Sequence, residues 1–210
     1  MLDLFRRARW IVLVLLAVYL VSFGAGYAAG KLGIVEMGRL RLTGFFKLNR
    51  TLDYSIPVLG PRLERYRTVE RPMLARVLSR GRAVSTMLTI FLNNGLLADA
   101  VQIVKTAAVL PLALYPYGRF VQGLVFGQAR SGYRAAMIAL SDFGAQFTIV
   151  CGTLILLLWT TFYRRFRFPT RGRGVVSGLK IFGVFFAVSL IFGFVGAYME
   201  MMNMLGVTLR

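Results

Sequence analysis

The chain contains no histidine and a single cysteine, Cys151. Without imidazole there is no His-ligated metal site, no Ser-His-Asp triad and no imidazole proton shuttle. One thiol in the middle of an apolar run forms no intramolecular disulfide. Phosphate loops of the Walker or GxGxxG kind are also missing. We therefore expect a non-enzymatic protein with no cofactor, no metal and no catalytic residue. Acidic side chains are scarce as well: eight Asp and Glu stand against 26 Lys and Arg, a net charge of +18.

Charge of either sign is thin in proportion to apolar surface. Of 210 residues, 57% are hydrophobic and 16% charged, whereas soluble domains carry roughly 25% charged residues. A helix that crosses the hydrocarbon needs about 20 predominantly apolar residues. Residues 10–30, 143–163 and 181–199 are such runs and hold no charge at all. Residues 83–104 and 106–129 are read as two more spans with polar interiors. The former carries Asn93, Asn94, Asp99 and Gln102, and the latter Arg119 and two prolines. The expected fold class is all-α, a polytopic membrane helix bundle of about five transmembrane helices. The first run follows a basic stretch, "MLDLFRRAR", and precedes the small residues "GAGYAAG", which suits a signal peptide. Its apolar core is long for one, so an uncleaved anchor is expected.

The basic surplus lies between apolar runs, which favours anionic lipid headgroups over nucleic acid as partner, at about 1 kcal/mol per surface Lys or Arg. "YRRFRFPTRGRG", residues 163–174, begins where an aromatic-ended span stops. Its arginines Arg164, Arg165, Arg167, Arg171 and Arg173 are candidate headgroup ligands, or an ordinary loop anchor. Residues 31–82 hold twelve basic and four acidic residues interleaved with bulky apolar ones. From Pro72, Met73, Leu74, Val77 and Leu78 share one helical face, with Arg76 and Arg80 elsewhere. Such a helix either lies in the membrane interface or packs on the spans. The division expected is an anchor over 1–34, a basic interfacial, amphipathic segment over 35–82 and a four-span domain over 83–210.

Ionisable groups at membrane depth are costly and tend to be paired or functional. Asp99, Arg119, Asp142 and Glu200 form that set. Pairing of Asp99 with Arg119 would neutralise both, while Asp142 and Glu200 are expected at span ends. In the second span Ser85, Thr89 and Asn93 recur on one face, and Gly95, Ala98, Asp99 and Gln102 on another. That shift at Asn94-Gly95 predicts a kink or break, with Asn93 and Asn94 turned inward. Small residues recur at close-contact spacing: Ser22, Gly26 and Gly30; Gly144, Thr148 and Gly152; Ser189, Gly193 and Ala197.

"FLNN" in the second span, "GRFVQGLVFG" ending the third, "LSDFGAQF" opening the fourth and "GAYMEMM" closing the fifth resemble the stage II sporulation protein M family over roughly residues 85–202. Asn94 and Glu200 match the family's asparagine and terminal glutamate. Gln122, Gly123 and Gly127 stand where its third-span motif has Asn-Gly and a further Gly. Asp142, Phe143 and Gln146 stand where its fourth-span motif has His-Gly and Glu, so the chain resembles a divergent member. The resemblance implies an integral-membrane assembly protein that recruits partners, as spore formers use in peptidoglycan remodelling.

Two functions are thus expected candidates. The first is a scaffold or assembly partner in a membrane complex, binding other membrane proteins and itself through its small-residue faces. The second is a permease-like subunit, partnered by an ABC-type ATPase, with a polar site formed by Asn94, Asp99 and Arg119 in the second and third spans. The expected location is the cytoplasmic membrane, multi-pass. Fifteen basic residues, including Arg130, Arg134 and Arg210, fall on the side of segment 31–82 and ten on the other. The positive-inside rule then puts the C-terminus in the cytoplasm.

Overall fold

A computed structural model of the chain describes residues 1–41, 43–78, 82–108, 111–128 and 133–204. Ser79, Arg80, Gly81, Arg130 and Arg210 lie outside them, as do the side chains of Arg76, Val77, Leu78 and Arg134. All regular structure among the described residues is helical. α1 is Leu2–Lys31, α2 Met37–Leu40, α3 Gly44–Ser55, α4 Leu59–Arg65 and α5 Arg71–Leu78. They are followed by α6 Ala83–Ile90, α7 Ala98–Ala107, α8 Pro111–Gln128, α9 Tyr133–Thr161 and α10 Arg171–Met204. Two π-helical stretches, Tyr66–Glu70 and Phe91–Leu97, join α4 to α5 and α6 to α7 without a break.

Four helices are long and apolar enough to cross a membrane among the described residues: Leu2–Lys31, Ala83–Ala107, Leu140–Thr161 and Arg171–Met202. The expected count of five is therefore corrected to four. The helix that drops out is α8, whose described residues Pro111–Gln128 include Arg119, Gln122, Gln128 and the internal Pro116 and so are too polar to count as a span.

α1 and α10 run one way along the bundle and α6–α7 and α9 the other. α9 and α10 form an antiparallel hairpin, with Gly144 against Phe192 at one end and Gly174 against Trp159 at the other. Around that second end, Ala8, Ile155, Trp159, Phe168 and Ile181 form one core cluster. α1 runs antiparallel to α9, since its Ala8 meets Trp159 while its Tyr19 stacks near Phe143. The α6–α7 helix runs antiparallel to α10, with Ile90 beside Ala197 and Met201, Gly95 beside Gly193, and Asp99 beside Ser189. α8 runs parallel to α1. Gly26 faces Phe120 and Leu124, and Gly30 faces Leu124 and Gly127.

That parallel pair is built on glycine. A Cβ on Gly26 would sit 2.0 Å from the Phe120 carbonyl oxygen, and one on Gly123 2.1 Å from that of Phe23. Two Gly-x-x-x-Gly faces, 26/30 and 123/127, let the backbones touch, which substitutes for the hydrophobic driving force that helices lack in lipid. The other small-residue faces are closed in the same way. Gly152 packs on Phe182 and Phe185, and Gly193 lies against Gly95.

The basic segment between α1 and α6 packs along the bundle. Gln128 at the end of α8 donates to the Val35 carbonyl at 2.6 Å, the Thr43 and Tyr117 hydroxyls are 3.0 Å apart, and Asp53 lies 2.7 Å from Lys105 near the far end of α7. The chain then turns at Val58, which adopts φ 66°, and α4 returns against α3, with Gly60 pressed on the Tyr54 carbonyl. On the way back Tyr66 and Leu74 join Ile90, Ala197 and Met201 in a core cluster. Within this amphipathic stretch Tyr66 and Leu74 are buried on the bundle, whereas Val69 and Met73 stay exposed.

Candidate functional site

The α6–α7 helix carries its polar residues through a widened turn rather than a break. A π stretch accommodates about one extra residue relative to the α-helical ladder, which rotates everything after it. That is the origin of the polar-face shift at Asn94-Gly95. Asn93 is buried and donates its amide to the Thr89 carbonyl at 2.8 Å, holding the loosened turn. Asn94 instead reaches outward across the bundle to Glu200, donating to Oε2 at 2.9 Å. Glu200 also accepts from the Arg71 guanidinium, 3.0 Å from Nε to Oε1. Glu200 stands near the C-terminal end of α10. It ties α6–α7 and the basic hairpin to α10.

Asp99 and Arg119 do not pair with each other. Asp99, 2% exposed, accepts a hydrogen bond from the Ser189 hydroxyl. Arg119 donates through Nη1 to Gln122 Oε1 at 2.8 Å and through Nη2 to Gln146 Oε1. Both glutamines turn their amide nitrogens to Asp142, Gln122 to Oδ2 at 3.2 Å and Gln146 to Oδ1 at 2.9 Å. A cation and an anion on different helices are thus joined by two parallel amide bridges. Tyr19 and Tyr115 flank the guanidinium, with ring centroids 5.8 and 5.6 Å from its central carbon. Asp142, expected at a span end, stands near the start of the apolar stretch Leu140–Thr161 and is exposed on the cavity.

These groups open on one cavity of about 570 Å³. Six of the eight polar candidates read from the sequence line it: Asn94, Asp99, Arg119, Gln122, Asp142 and Gln146. Asn93 and Glu200 do not. The hairpin supplies a wall that the sequence did not reveal, with Arg41, Arg50, Asp53 and Arg67, and α7 and α8 add Lys105, Tyr115 and Tyr117. Arg50 and Arg67 converge on Tyr54. Burial raises the Tyr54 phenol, but hydrogen bonds from these two arginines outweigh it and hold the group below its ordinary value. A lone Tyr54 four residues after Arg50, and a lone Asp53 within a basic helix, were the available signals.

The arginines of the α9–α10 turn, Arg164, Arg165, Arg167, Arg171 and Arg173, are all exposed at the end of the bundle away from Glu200. Arg7 of α1 joins them there, donating to the Phe166 and Arg167 carbonyls at 3.0 and 3.2 Å. Among the described residues no group of three His, Cys, Asp or Glu is placed to hold a metal ion. What the cavity offers is a charged and amide-rich surface that can replace the hydration shell of a polar solute. Comparison of the chain with protein-family models, curated proteins and solved structures found no match.

Proposed function

We propose that the chain is a polytopic membrane protein of the cytoplasmic membrane that holds a polar solute inside the bundle, as a permease-like subunit. The carrying observation is the cavity: six polar residues drawn from three helical segments meet on it, level with Ser189 near the middle of α10. Polar backbone and side chains at such depth are tolerated where they line a wet cavity, and transport sites are commonly built there. In this reading residues 1–34 are an anchor, 35–82 a hairpin that completes the cavity wall, and 83–204 the remaining helices.

The scaffold role implied by the resemblance to stage II sporulation protein M needs small-residue faces open to partners. Gly26, Gly30, Gly123, Gly152 and Gly193 are engaged within this chain, so we rank solute binding above it. Proteoliposomes test the proposal. The chain, alone and with candidate ATPase subunits, should accelerate uptake of members of a panel of labelled small anions, amino acids and sugars. The Gln146→Leu variant, which opens the Arg119–Asp142 bridge, should lose that flux while still inserting. Flux at the level of empty liposomes for every solute, or flux undiminished in Gln146→Leu, would sink it.

A further inference from the structure

The charges around the cavity are unequal. Five cations line it, Arg41, Arg50, Arg67, Lys105 and Arg119, against three carboxylates, Asp53, Asp99 and Asp142, an excess of two. The carboxylates are committed. Asp53 pairs with Lys105, Asp142 is bridged to Arg119 through two glutamines, and Asp99 takes the Ser189 hydroxyl. Arg41, Arg50 and Arg67 form no salt bridge among the described residues. An independent feature points the same way. Arg119 is 8% exposed and Tyr115 6% exposed; both residues line the cavity, and the Nε of the one and the hydroxyl of the other are buried with no hydrogen-bond partner among the described residues. Buried donors are rarely left unmade, and these two adjoin each other, the guanidinium stacked 5.6 Å from the Tyr115 ring.

We infer that the cavity binds a phosphate-bearing ligand, its oxygens accepting from Arg119 Nε and the Tyr115 hydroxyl at the inner end and from Arg41, Arg50 and Arg67 on the hairpin side. A phosphate dianion matches the excess of two charges, and arginine forks match phosphate oxygens bidentately. A volume of about 570 Å³ exceeds that of a bare phosphate and falls in the range of small-ligand pockets, about 300–1,000 Å³. The phosphate therefore belongs to a larger group, either a phospholipid headgroup or a free phosphorylated solute. The inference rests on the solute-binding reading for its biological use, but the binding itself is tested without transport.

The test uses the full chain, delipidated in neutral detergent, with affinity read by calorimetry and thermal midpoint. One arm adds glycerol 1-phosphate as the free source, with glycerol as its control, and a second adds short-chain phosphatidylglycerol, with short-chain diacylglycerol as its control. We expect one phosphate arm to bind at least tenfold more tightly than its control. Arg50→Gln and Arg67→Gln should each weaken it about tenfold. Tyr115→Phe should weaken it severalfold while leaving the midpoint of the ligand-free protein unchanged or slightly raised, because the removed hydroxyl has no partner among the described residues. A purely structural Tyr115 would leave affinity untouched. Binding of neither probe above its control, or wild-type affinity in Tyr115→Phe together with Arg50→Gln and Arg67→Gln, overturns the inference. Binding without flux in liposomes would leave it standing and remove the permease reading. Flux with no phosphate preference would do the reverse.

Discussion

Replacing Gly123 by alanine adds one methyl group where the structure has no room for it. The new Cβ would lie 2.1 Å from the Phe23 carbonyl oxygen and 2.9 Å from both the Phe23 carbonyl carbon and the Tyr27 nitrogen. All three are backbone atoms of α1, so no side chain can swing aside. Ordinary carbon–oxygen contact begins at roughly 3.3 Å, and restoring it requires α1 and α8 to separate by about 1 Å. A gap of that size forfeits a quarter to a half of each dispersion contact. Forced repacking of this kind costs about 1–3 kcal/mol. Gly24 is the matched control, on the same helix pair, and a Cβ added there would meet nothing within 4 Å. Gly24→Ala should be neutral or stabilising by up to about 1 kcal/mol through helix propensity. Equilibrium unfolding in mixed dodecyl-sulfate micelles, followed by circular dichroism, separates the two. Equal midpoints for Gly123→Ala and Gly24→Ala would refute the parallel contact, and with it the placement of Arg119 and Tyr115 on the cavity.

Asn94→Leu should destabilise the protein by about 1–3 kcal/mol, because Glu200 Oε2 keeps its burial and loses its donor; unchanged stability in the same unfolding assay would contradict that role. Lys105→Met and Asp53→Asn should couple, since both side chains of this pair are largely buried, at 11% and 15% exposure. A double-mutant cycle is expected to give about 1–3 kcal/mol, and strictly additive effects would dispose of the latch. Tyr66→Phe removes a hydroxyl that is fully buried without a partner among the described residues and should be neutral or stabilising by about 1 kcal/mol. A loss of more than that would mean the hydroxyl is bonded after all.

The long helices were readable because membrane length and apolarity are properties of a window of sequence. α8 was only half readable for the same reason. Residues 106–129 have the length of a span, but the described helix Pro111–Gln128 carries Arg119, Gln122, Gln128 and Pro116 within it, which lowers its apolarity. The π stretch illustrates a different limit. The displacement of polar residues between Asn93 and Gly95 was visible, yet a break and a widened turn shift a helical face alike. The outcome is settled by Asn93, whose amide bonds to the Thr89 carbonyl, and by Gly95 against Gly193, contacts that hold a continuous helix together. The amphipathic hairpin was ambiguous in principle. An apolar face opposite arginines satisfies a lipid surface and a protein groove equally, and only folding pairs Asp53 with Lys105, 52 residues apart.

The pairing of Asp99 with Arg119 failed because opposite charges are not the only way to satisfy a deep guanidinium. A direct ion pair places both desolvation costs on one contact, whereas an amide offers an acceptor to the cation and a donor to the anion. Gln122 stands three residues after Arg119 and Gln146 four after Asp142, each on the same helical face as its charge. Those two spacings were in the sequence, on helices that only folding brings together. Bridging also leaves the edge of the guanidinium that carries Nε uncommitted, which a bidentate carboxylate contact through that edge would have closed. An arginine held in position by glutamines, with one donor to spare beside a tyrosine hydroxyl unpaired among the described residues, is organised to meet something other than the protein itself. Asp99, satisfied separately by Ser189, does not compete for that edge.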